Sequence, residues 1–347
     1  MDTDSLHAAL TDLTRKGEFS GTVRIDSAAR TRFEGAYGPA SYTWNVPATM
    51  STRYDCASVT KLFTAVATLQ QVAAGAFTLQ TSAIDYLGLT GTTISPAVTV
   101  HHLLSHTSGI GDDADEEAGE SYEALWVDTP NYSVRQTADF LPNFVNKPAN
   151  FAPGKGARYC NVSYILLGLM IEKATGRSYR DYVVEHVFGP AGMSRAGFFA
   201  MDRVVPDVAE GVEADDGGWR RNIYSYPPIG SPDGGAHVCA ADLLAFHRAL
   251  RAGDLLPAEL AEAMITPHAT HSVDPEDGVV HAMGYGFEIS TDPGAVVRSY
   301  WKEGVNTGAS AMLRHYPGAA VTVAVLSNLE DGVWEPVDLI NDAVQSL

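Results

Sequence analysis

Ser58 and Lys61 lie three residues apart, a spacing that can turn a serine hydroxyl into a nucleophile. They precede an apolar-periodic segment, and a serine at a helix N-terminus lies where unpaired N–H groups favour negative charge. One helical turn brings the two side chains to the same place, where a buried, neutral lysine could accept the serine proton. The alternative is a serine that caps the helix beside a solvated lysine. The pattern alone is weak, because Ser-x-x-Lys recurs by chance.

Tyr159 and Asn161 form a second candidate group, which follows the turn residues 153–156 and precedes another apolar helix. Two positions apart in an extended segment, their side chains face the same side. A phenol near a lysine can shuttle protons, and an amide can bind a substrate carbonyl and orient the lysine. The alternative is a turn before a helix with an asparagine cap.

Lys302 and Gly304 form a third candidate group, on a predicted strand that begins around Val296. A cation and a glycine on one strand allow a substrate to approach the backbone closely. The next N–H group, that of Val305, is then available to an oxyanion. This group is the weakest of the three when it is taken alone.

Taken together, the order, contexts and spacing of the three groups resemble the serine β-lactamase and penicillin-binding-protein superfamily, in its class C-like branch. That branch also holds D-alanyl-D-alanine carboxypeptidases, D-aminopeptidases and β-lactamase-type carboxylesterases. The resemblance covers roughly residues 18 to 330. Further segments match the branch: residues 100–110, 151–176, 190–193, 234–235 and 284–286.

The resemblance implies an acyl-enzyme mechanism. Ser58 would be the nucleophile and Lys61 its proton partner. Tyr159 would act as general base and acid, also towards the deacylating water, and Asn161 would hold the substrate amide or the lysine. The backbone N–H groups of Ser58 and Val305 would form the oxyanion hole. Because the relatives use no metal, neither a metal nor a cofactor is expected.

The third motif departs from the family pattern. Members usually carry Lys-Thr-Gly or His-x-Gly, and the threonine hydroxyl helps to bind a substrate carboxylate, whereas this chain has Glu303. Lys302 and Gly304 are expected to contact the substrate. A carboxylate beside the site would repel the carboxylate of a penicillin or a peptide C-terminus, unless Lys302 or an arginine neutralises it. Residues 306–308 are a competing placement of the motif, but Gly304 and Gly308 fall where relatives have their two glycines.

These observations predict a serine hydrolase that acts as an esterase or amidase on small esters or amides. The first alternative is a β-lactamase or a D-stereospecific peptidase, either a D,D-carboxypeptidase or a D-aminopeptidase. The second is an acyltransferase or a non-hydrolytic protein that binds an acyl ligand. The expected partner is a small ester, amide or peptide substrate, and the sequence does not indicate an oligomeric state.

The elements that must position these groups alternate between strand and helix signals. Helical periodicity is seen from Leu6 to Lys16, after Lys61, and over residues 161–175, 240–251 and 336–344. Strand signals cluster near both termini, in hairpins over residues 21–35 and 310–327. The expected fold is therefore α/β (α+β) and β-lactamase/transpeptidase-like, with an antiparallel sheet built from both termini and flanked by helices. Residues 1–75 and 279–347 are predicted to form the sheet domain, and residues 76–278 a mostly helical inserted domain, with the site between them.

Composition narrows the function classes further. The 347 residues carry 23 Lys and Arg against 42 Asp and Glu, a formal net charge of -19, which argues against nucleic-acid and membrane-surface partners. Three cysteines and an N-terminus without a secretory pattern favour the cytoplasm. Six carboxylates crowd residues 112–120, which we interpret as a solvated loop rather than a calcium site.

Overall fold

The computed structural model describes residues 2–28 and 30–345. The described α-helices are α1 (Thr3–Lys16), α2 (Thr60–Ala73), α3 (Ala83–Leu87), α4 (Val100–Leu104), α5 (Asn161–Thr175), α6 (Tyr179–Val183), α7 (Gly189–Ala191), α8 (Ala240–Ala252), α9 (Ala258–Met264) and α10 (Trp334–Gln345). Short 3-10 helices span Ala57–Val59, Glu116–Ala118, Glu123–Trp126, Asn131–Ser133, Thr137–Asn143 and Pro317–Ala319, and a π-helical turn spans Val184–Phe188.

The described strands are β1 (Gly21–Ser27), β2 (Arg30–Tyr37), β3 (Pro39–Ser41), β4 (Val46–Pro47), β5 (Tyr54–Asp55), β6 (Val212–Asp215), β7 (Gly218–Arg221), β8 (His237–Val238), β9 (Ala269–Val273), β10 (Val280–Met283), β11 (Glu288–Thr291), β12 (Val297–Asn306), β13 (Ala309–Tyr316) and β14 (Val321–Ser327). Eight of them form one antiparallel sheet in the order β2-β1-β14-β13-β12-β11-β10-β9. The short pairs β3-β4, β5-β8 and β6-β7 lie outside it.

The two ends of the chain meet in the large sheet. Strand β1 pairs along its whole length with β14, from Gly21 opposite Ser327 to Ser27 opposite Val321. Strand β11 pairs with the first half of β12 only, between Val297 and Trp301. The second half of β12 therefore has an edge outside this ladder, and the turn that carries Ser58 packs against it.

The sheet separates two hydrophobic cores because side chains alternate between its faces. On one face, apolar residues of α1 and α10 pack against residues such as Val325 and Met312. On the other face, α2, α5 and α8 contribute to a larger core that takes in Leu313 and Leu326. Helices α2 and α5 pack against each other and are buried on nearly all sides, so their N-termini are held rigidly.

The predicted fold class is confirmed by this architecture. The helices predicted over 161–175 and 240–251 and both hairpins are present within a residue or two of the expected bounds. The sheet also includes β9, which lies before residue 279, and the division into two domains stays a prediction. No α-helix in the described part of the chain combines the length and hydropathy that crossing a bilayer requires.

Candidate active site

Ser58 lies in a tight turn directly before α2. Ala57 has a positive φ of 43°, which is rare for a residue with a side chain. The turn is held from two sides, because the N–H of Ala57 donates to Oδ1 of Asp55 at 2.7 Å and its carbonyl accepts from the N–H of Gly235 at 3.3 Å. Such strain, held in place by surrounding contacts, is typical of functional positions.

The side chain of Lys61 joins this turn to two other parts of the chain. Its Nζ lies 3.0 Å from Oγ of Ser58, 2.7 Å from Oδ1 of Asn161 and 2.7 Å from the carbonyl oxygen of Asp233. Lys61 is fully buried, at 0% exposure. Burial lowers the pKa of Lys61 from its usual value to about 8, although the charge of Asp233 opposes this.

These three contacts determine how the N–H groups and the lone pair of a neutral Lys61 amine are oriented. The oxygens of Asn161 and Asp233 are carbonyl oxygens that only accept hydrogen bonds, and they are the two closer partners. A neutral amine has two N–H groups, which those oxygens would occupy. Its lone pair is then left for Ser58, whose hydroxyl is the one partner of the three that can donate a proton.

Tyr159 lies half-buried between two lysines. The Nζ of Lys61 is 4.9 Å and the Nζ of Lys302 4.5 Å from the centre of its ring, and the ring stacks on His106 at 4.7 Å. Burial raises the pKa of Tyr159 well above its usual value, and the nearby charge of Glu116 contributes a smaller effect in the same direction. A hydrogen bond with Ser58 acts in the opposite direction. The phenol is therefore a neutral proton donor and acceptor at ordinary pH, held beside the serine by these contacts.

The interpretation of residues 112–120 as a solvated loop was wrong for its first residues. Asp112 and Asp113 are 4% and 1% exposed. The carboxylate of Asp112 accepts from the N–H groups of Asn161 and Val162 at 2.7 and 3.0 Å, so it caps α5 where a sequence reading would place an asparagine cap. This cap fixes the residue whose amide holds Lys61.

Two further carboxylates of this loop reach the site. Oε1 of Glu116 accepts from Nδ2 of Asn161 at 3.3 Å, and Oε1 of Glu117 accepts from the N–H of Tyr159 at 2.8 Å. A guanidinium nitrogen of Arg158 lies 3.8 Å from Glu117. The loop therefore brings negative charge to the edge of the cleft.

Strand β12 closes the other side of the site. A Cβ atom on Gly304 would lie 2.6 Å from the backbone nitrogen of Ser58, whereas Gly308 approaches Val212 instead. The structure therefore places the Lys302–Gly304 motif, and not the competing one at 306–308, against the serine turn. Nζ of Lys302 donates to Oε1 of Glu288 at 2.8 Å.

A cleft runs along both sides of Ser58. On the β12 side it has a volume of about 340 Å³ and is lined by Tyr159, Lys302, Glu303 and Val305 as well as by the serine. On the other side a smaller pocket is lined by Asn161 and Tyr226. The serine is thus reachable by a small substrate, whose acyl and leaving groups could occupy opposite sides.

Sequence reasoning missed several residues that shape this site: Asp112, Glu116, Asp233 and Glu288. None of the four belongs to a recognisable motif, because each acts through a contact with a residue that is distant in sequence. The separations range from 14 residues for Glu288 and Lys302 to 172 residues for Asp233 and Lys61. The crowding of acidic residues over 112–120 was the one available signal. The cysteines, Cys56, Cys160 and Cys239, are free and buried, and burial raises the pKa of the Cys239 thiol to about 11.

The sheet built from both termini, with a serine and a buried lysine at the N-terminus of a central helix, defines a serine hydrolase of the β-lactamase and penicillin-binding-protein type. The chain belongs to the Beta-lactamase family, whose family model matches residues 11–344. The predictions of family and of enzyme class are thereby confirmed.

Individual relatives carry different names. The crystal structure of a penicillin-binding protein from Bacillus halodurans is 35% identical, with a TM-score of 0.89 over 97% of this chain and 99% of that chain. Penicillin-binding protein 4* of Bacillus subtilis (strain 168) is 27% identical and covers 92% of this chain and 70% of its own length. Esterase EstB of Burkholderia gladioli is 30% identical, and the match covers 76% of this chain and 73% of the esterase.

Proposed function

We propose that the protein hydrolyses small esters or amides through an acyl-enzyme formed on Ser58. The observation that carries the proposal is the environment of Lys61, which lies 3.0 Å from the serine hydroxyl and whose pKa is lowered by burial to about 8. A lysine with such a pKa is partly neutral near neutral pH and can serve as a general base. A solvated lysine beside a capping serine would have neither property.

In the first half of the reaction, Oγ of Ser58 attacks the substrate carbonyl carbon and its proton moves to the neutral amine of Lys61. The backbone N–H groups of Ser58 and Val305 donate hydrogen bonds to the carbonyl oxygen and so stabilise the negative charge that develops on it. The bond to the leaving group then breaks, and the leaving alkoxide or amine takes up the proton from Lys61, through the phenol of Tyr159.

In the second half, water attacks the acyl-enzyme and gives a proton to the same pair, Lys61 and Tyr159. The bond between the acyl carbon and Oγ breaks, Ser58 regains its proton and the carboxylic acid is released. Asn161 holds the amine of Lys61 throughout, and its amide nitrogen donates to Glu116, which also lines the cleft. The second N–H of this nitrogen is the group that can meet the substrate carbonyl.

The relatives support this range of substrates without fixing one. One is named an esterase, and a D-aminopeptidase of Cereibacter sphaeroides is 27% identical over 95% of this chain and 61% of its own length. A β-lactamase is the second candidate, favoured by the family and by the penicillin-binding relatives. Glu303 in the cleft wall argues against it, because penicillins carry a carboxylate. A small-molecule substrate and a cytoplasmic location belong to the same proposal.

The proposal is tested by assaying the wild type and Ser58→Ala with p-nitrophenyl butyrate, nitrocefin and D-alanine p-nitroanilide. We expect ester turnover in the wild type, its loss by several powers of ten in the variant, and an unchanged unfolding temperature. Mass spectrometry should find the acyl adduct on Ser58. Undiminished turnover by Ser58→Ala would reject the mechanism, fast nitrocefin turnover would favour the second candidate, and a stable adduct without turnover would indicate an acyltransferase or a binding protein.

A further inference from the structure

A second cavity adjoins the smaller pocket beside Ser58. Its volume is about 440 Å³, which exceeds the 340 Å³ of the cleft on the β12 side. It shares four wall residues with the smaller serine pocket: Asp55, Met201, Tyr226 and His237. The described lining of this second cavity, which we call the outer cavity, does not include Ser58. The proposed reaction therefore does not account for its size.

The outer cavity has the size and the apolar walls of a site for a small molecule. Its aromatic and aliphatic lining includes Trp44, Tyr54, Phe199, Val205 and Ile223. An apolar cavity of about 150 Å³ is large enough to hold benzene. The outer cavity therefore has room for a molecule of two fused rings.

Asn328 brings a buried acceptor to this lining. It is 2% exposed, and its Nδ2 donates to the carbonyl oxygens of Pro39 and Glu210 at 3.1 and 2.9 Å. These two acceptors fix the orientation of the amide, because only its nitrogen can donate. Oδ1 lies on the other branch of the amide and has no hydrogen-bond partner among the described residues. Since buried polar groups are normally hydrogen-bonded, this atom favours a ligand that brings an N–H or O–H donor.

His237 contributes a second atom of this kind. It is 8% exposed, and its Nδ1 has no hydrogen-bond partner within the described ranges 2–28 and 30–345. Burial lowers the pKa of His237, so the ring is neutral and one of its two nitrogens accepts a hydrogen bond. The outer cavity thus combines apolar walls with polar atoms that lack partners.

The charged groups of the lining already have partners. These groups belong to Asp55, Asp202, Arg203, Glu210 and Arg221. Asp202 lies 2.7 Å from Arg135 and 3.9 Å from Arg203, and Arg221 lies 4.0 Å from Glu210. The carboxylate of Asp55 accepts from a backbone N–H group. These charges therefore favour a neutral ligand over an ion.

The wall between the two cavities also holds the serine turn. Asp55 and His237 lie opposite each other in the β5–β8 pair. Oδ1 of Asp55 accepts from the N–H of Ala57 at 2.7 Å, and Ala57 is the residue with a positive φ directly before Ser58. A molecule that presses on this wall therefore displaces the nucleophile, and small displacements of reacting groups lower turnover.

We propose that the outer cavity is a second binding site, for neutral aromatic molecules that carry an N–H or O–H donor, and that a bound molecule slows turnover at Ser58 through Asp55. The ligand of this site does not contact the serine and is not hydrolysed. Binding is independent of the proposed hydrolase function, whereas the effect on turnover rests on it.

The first test measures binding to the wild-type protein by isothermal titration calorimetry, with four probes that share one ring system. Indole is neutral and has an N–H donor, 1-methylindole lacks the donor, indole-3-acetate is an anion and tryptamine is a cation. We expect the Kd of indole to be about fivefold lower than that of 1-methylindole, the effect of one hydrogen bond. Both ions should bind more weakly than indole.

The second test locates the site. Val205 is half-buried on the cavity lining, so Val205→Trp should fill part of the cavity and raise the Kd of indole at least about tenfold. Val296→Trp makes the same exchange at an exposed position directly before β12 and should bind indole like the wild type. A crystal structure of the wild type with indole should show the molecule beside Asn328 and His237, which locates the site even if Val205→Trp fails to fold.

The third test measures steady-state hydrolysis of p-nitrophenyl butyrate with and without saturating indole. We expect kcat to fall at least about threefold while KM stays unchanged, because the ligand acts on the serine turn and leaves the place of the substrate free. In Val205→Trp, kcat should no longer depend on indole.

The outcomes distinguish the parts of the proposal. Indole binding that Val205→Trp leaves unchanged, or indole found in the crystal beside Ser58 alone, overturns the site, and so does a rise in KM with unchanged kcat. Equal affinity for indole and 1-methylindole, or tighter binding of either ion, overturns the ligand class. Binding without an effect on kcat overturns the coupling through Asp55. Absence of turnover with every ester and amide rejects the hydrolase, while calorimetry and the crystal structure still decide whether the outer cavity binds.

Discussion

A Cβ atom on residue 304 would lie 2.6 Å from the backbone nitrogen of Ser58 and 2.3 Å from the carbonyl oxygen of Cys56. Gly304 therefore allows β12 to lie directly against the serine turn. We predict that Gly304→Ala pushes strand and turn apart and lowers kcat/KM for an ester by about 100-fold, since displacements near 1 Å have effects of that size. Steady-state kinetics together with thermal unfolding measure this.

Gly318→Ala provides the control for this substitution. Gly318 lies in the 3-10 turn between β13 and β14, and a Cβ there would meet nothing within 4 Å. We expect its kinetics and unfolding temperature to equal those of the wild type. If Gly304→Ala retained full activity, the close approach of β12 would have no part in the reaction.

The pH dependence of activity should follow the ionisation of Lys61. Burial lowers the pKa of Lys61 to about 8, and only the neutral amine can accept the serine proton. We therefore predict that kcat/KM for a neutral ester rises with pH and levels off above a midpoint near 8. Initial rates between pH 5.5 and 9.5 check this.

A matched variant identifies the group responsible for this rise. Lys61→Met preserves the length of the side chain without the amine and should be inactive at every pH, while retaining its far-UV circular dichroism. An ascending limb with a midpoint below pH 6 would instead point to a carboxylate or a histidine as the base.

Asp112 is predicted to support activity without touching the substrate. Its carboxylate caps α5 through the N–H groups of Asn161 and Val162, and Asn161 holds Lys61. We predict that Asp112→Ala lowers the free energy of unfolding by about 1–2 kcal/mol and also lowers kcat, since the loss of a cap has that effect on stability. Asp112→Asn retains one oxygen acceptor and should therefore show smaller losses of unfolding free energy and of kcat than Asp112→Ala. Urea unfolding and kinetics on the same samples test this.

A second aspartate cap separates stability from activity. Asp2 caps α1 in the same way, accepting from the N–H groups of Asp4 and Ser5, and lies on the far face of the sheet. Asp2→Ala should lower stability and leave kcat unchanged. Equal losses of kcat in the Asp2 and Asp112 variants would show that only global stability is involved.

The sequence was sufficient for the longer helices, the two terminal hairpins and the motifs because each of these has a local signal. The apolar period of residues 161–175 predicted α5 at its observed bounds. Gly304 was predicted to let a substrate approach the backbone, whereas the structure shows that it lets β12 approach the serine turn. The spacing of Ser58 and Lys61 was informative because one helical turn fixes their separation whatever the rest of the fold.

The remaining part of the site depends on loops, whose conformations have no periodic signal. Nothing local distinguishes Asp112, which caps α5, from Glu120, which is exposed. Lys61 binds the backbone carbonyl of Asp233, a group that every residue has, so the residue type at position 233 could not predict this contact. Loop residues acquire these roles from the fold that surrounds them.

Loss of one partner of the Lys302–Glu288 ion pair is predicted to destabilise the fold more than loss of both. Lys302 is 2% exposed, so removing Glu288 leaves an uncompensated buried charge. We predict that Glu288→Gln lowers the free energy of unfolding by about 3 kcal/mol. The double variant Glu288→Gln with Lys302→Met should be more stable than Glu288→Gln alone, because the unpaired charge is gone. A double-mutant cycle by urea unfolding measures both effects.

The same cycle has a kinetic consequence. Glu288→Gln frees the charge of Lys302 beside Tyr159, so turnover of an anionic acyl substrate should rise relative to a neutral one, and the double variant should lose that gain. Arg298→Gln serves as the control, since its pair with Asp277 at 3.3 Å is half-exposed and forms no wall of the cleft. If the two single variants at 288 and 302 changed stability additively, the pair would contribute no coupling, and Lys302 would be held by its packing against Tyr159 instead.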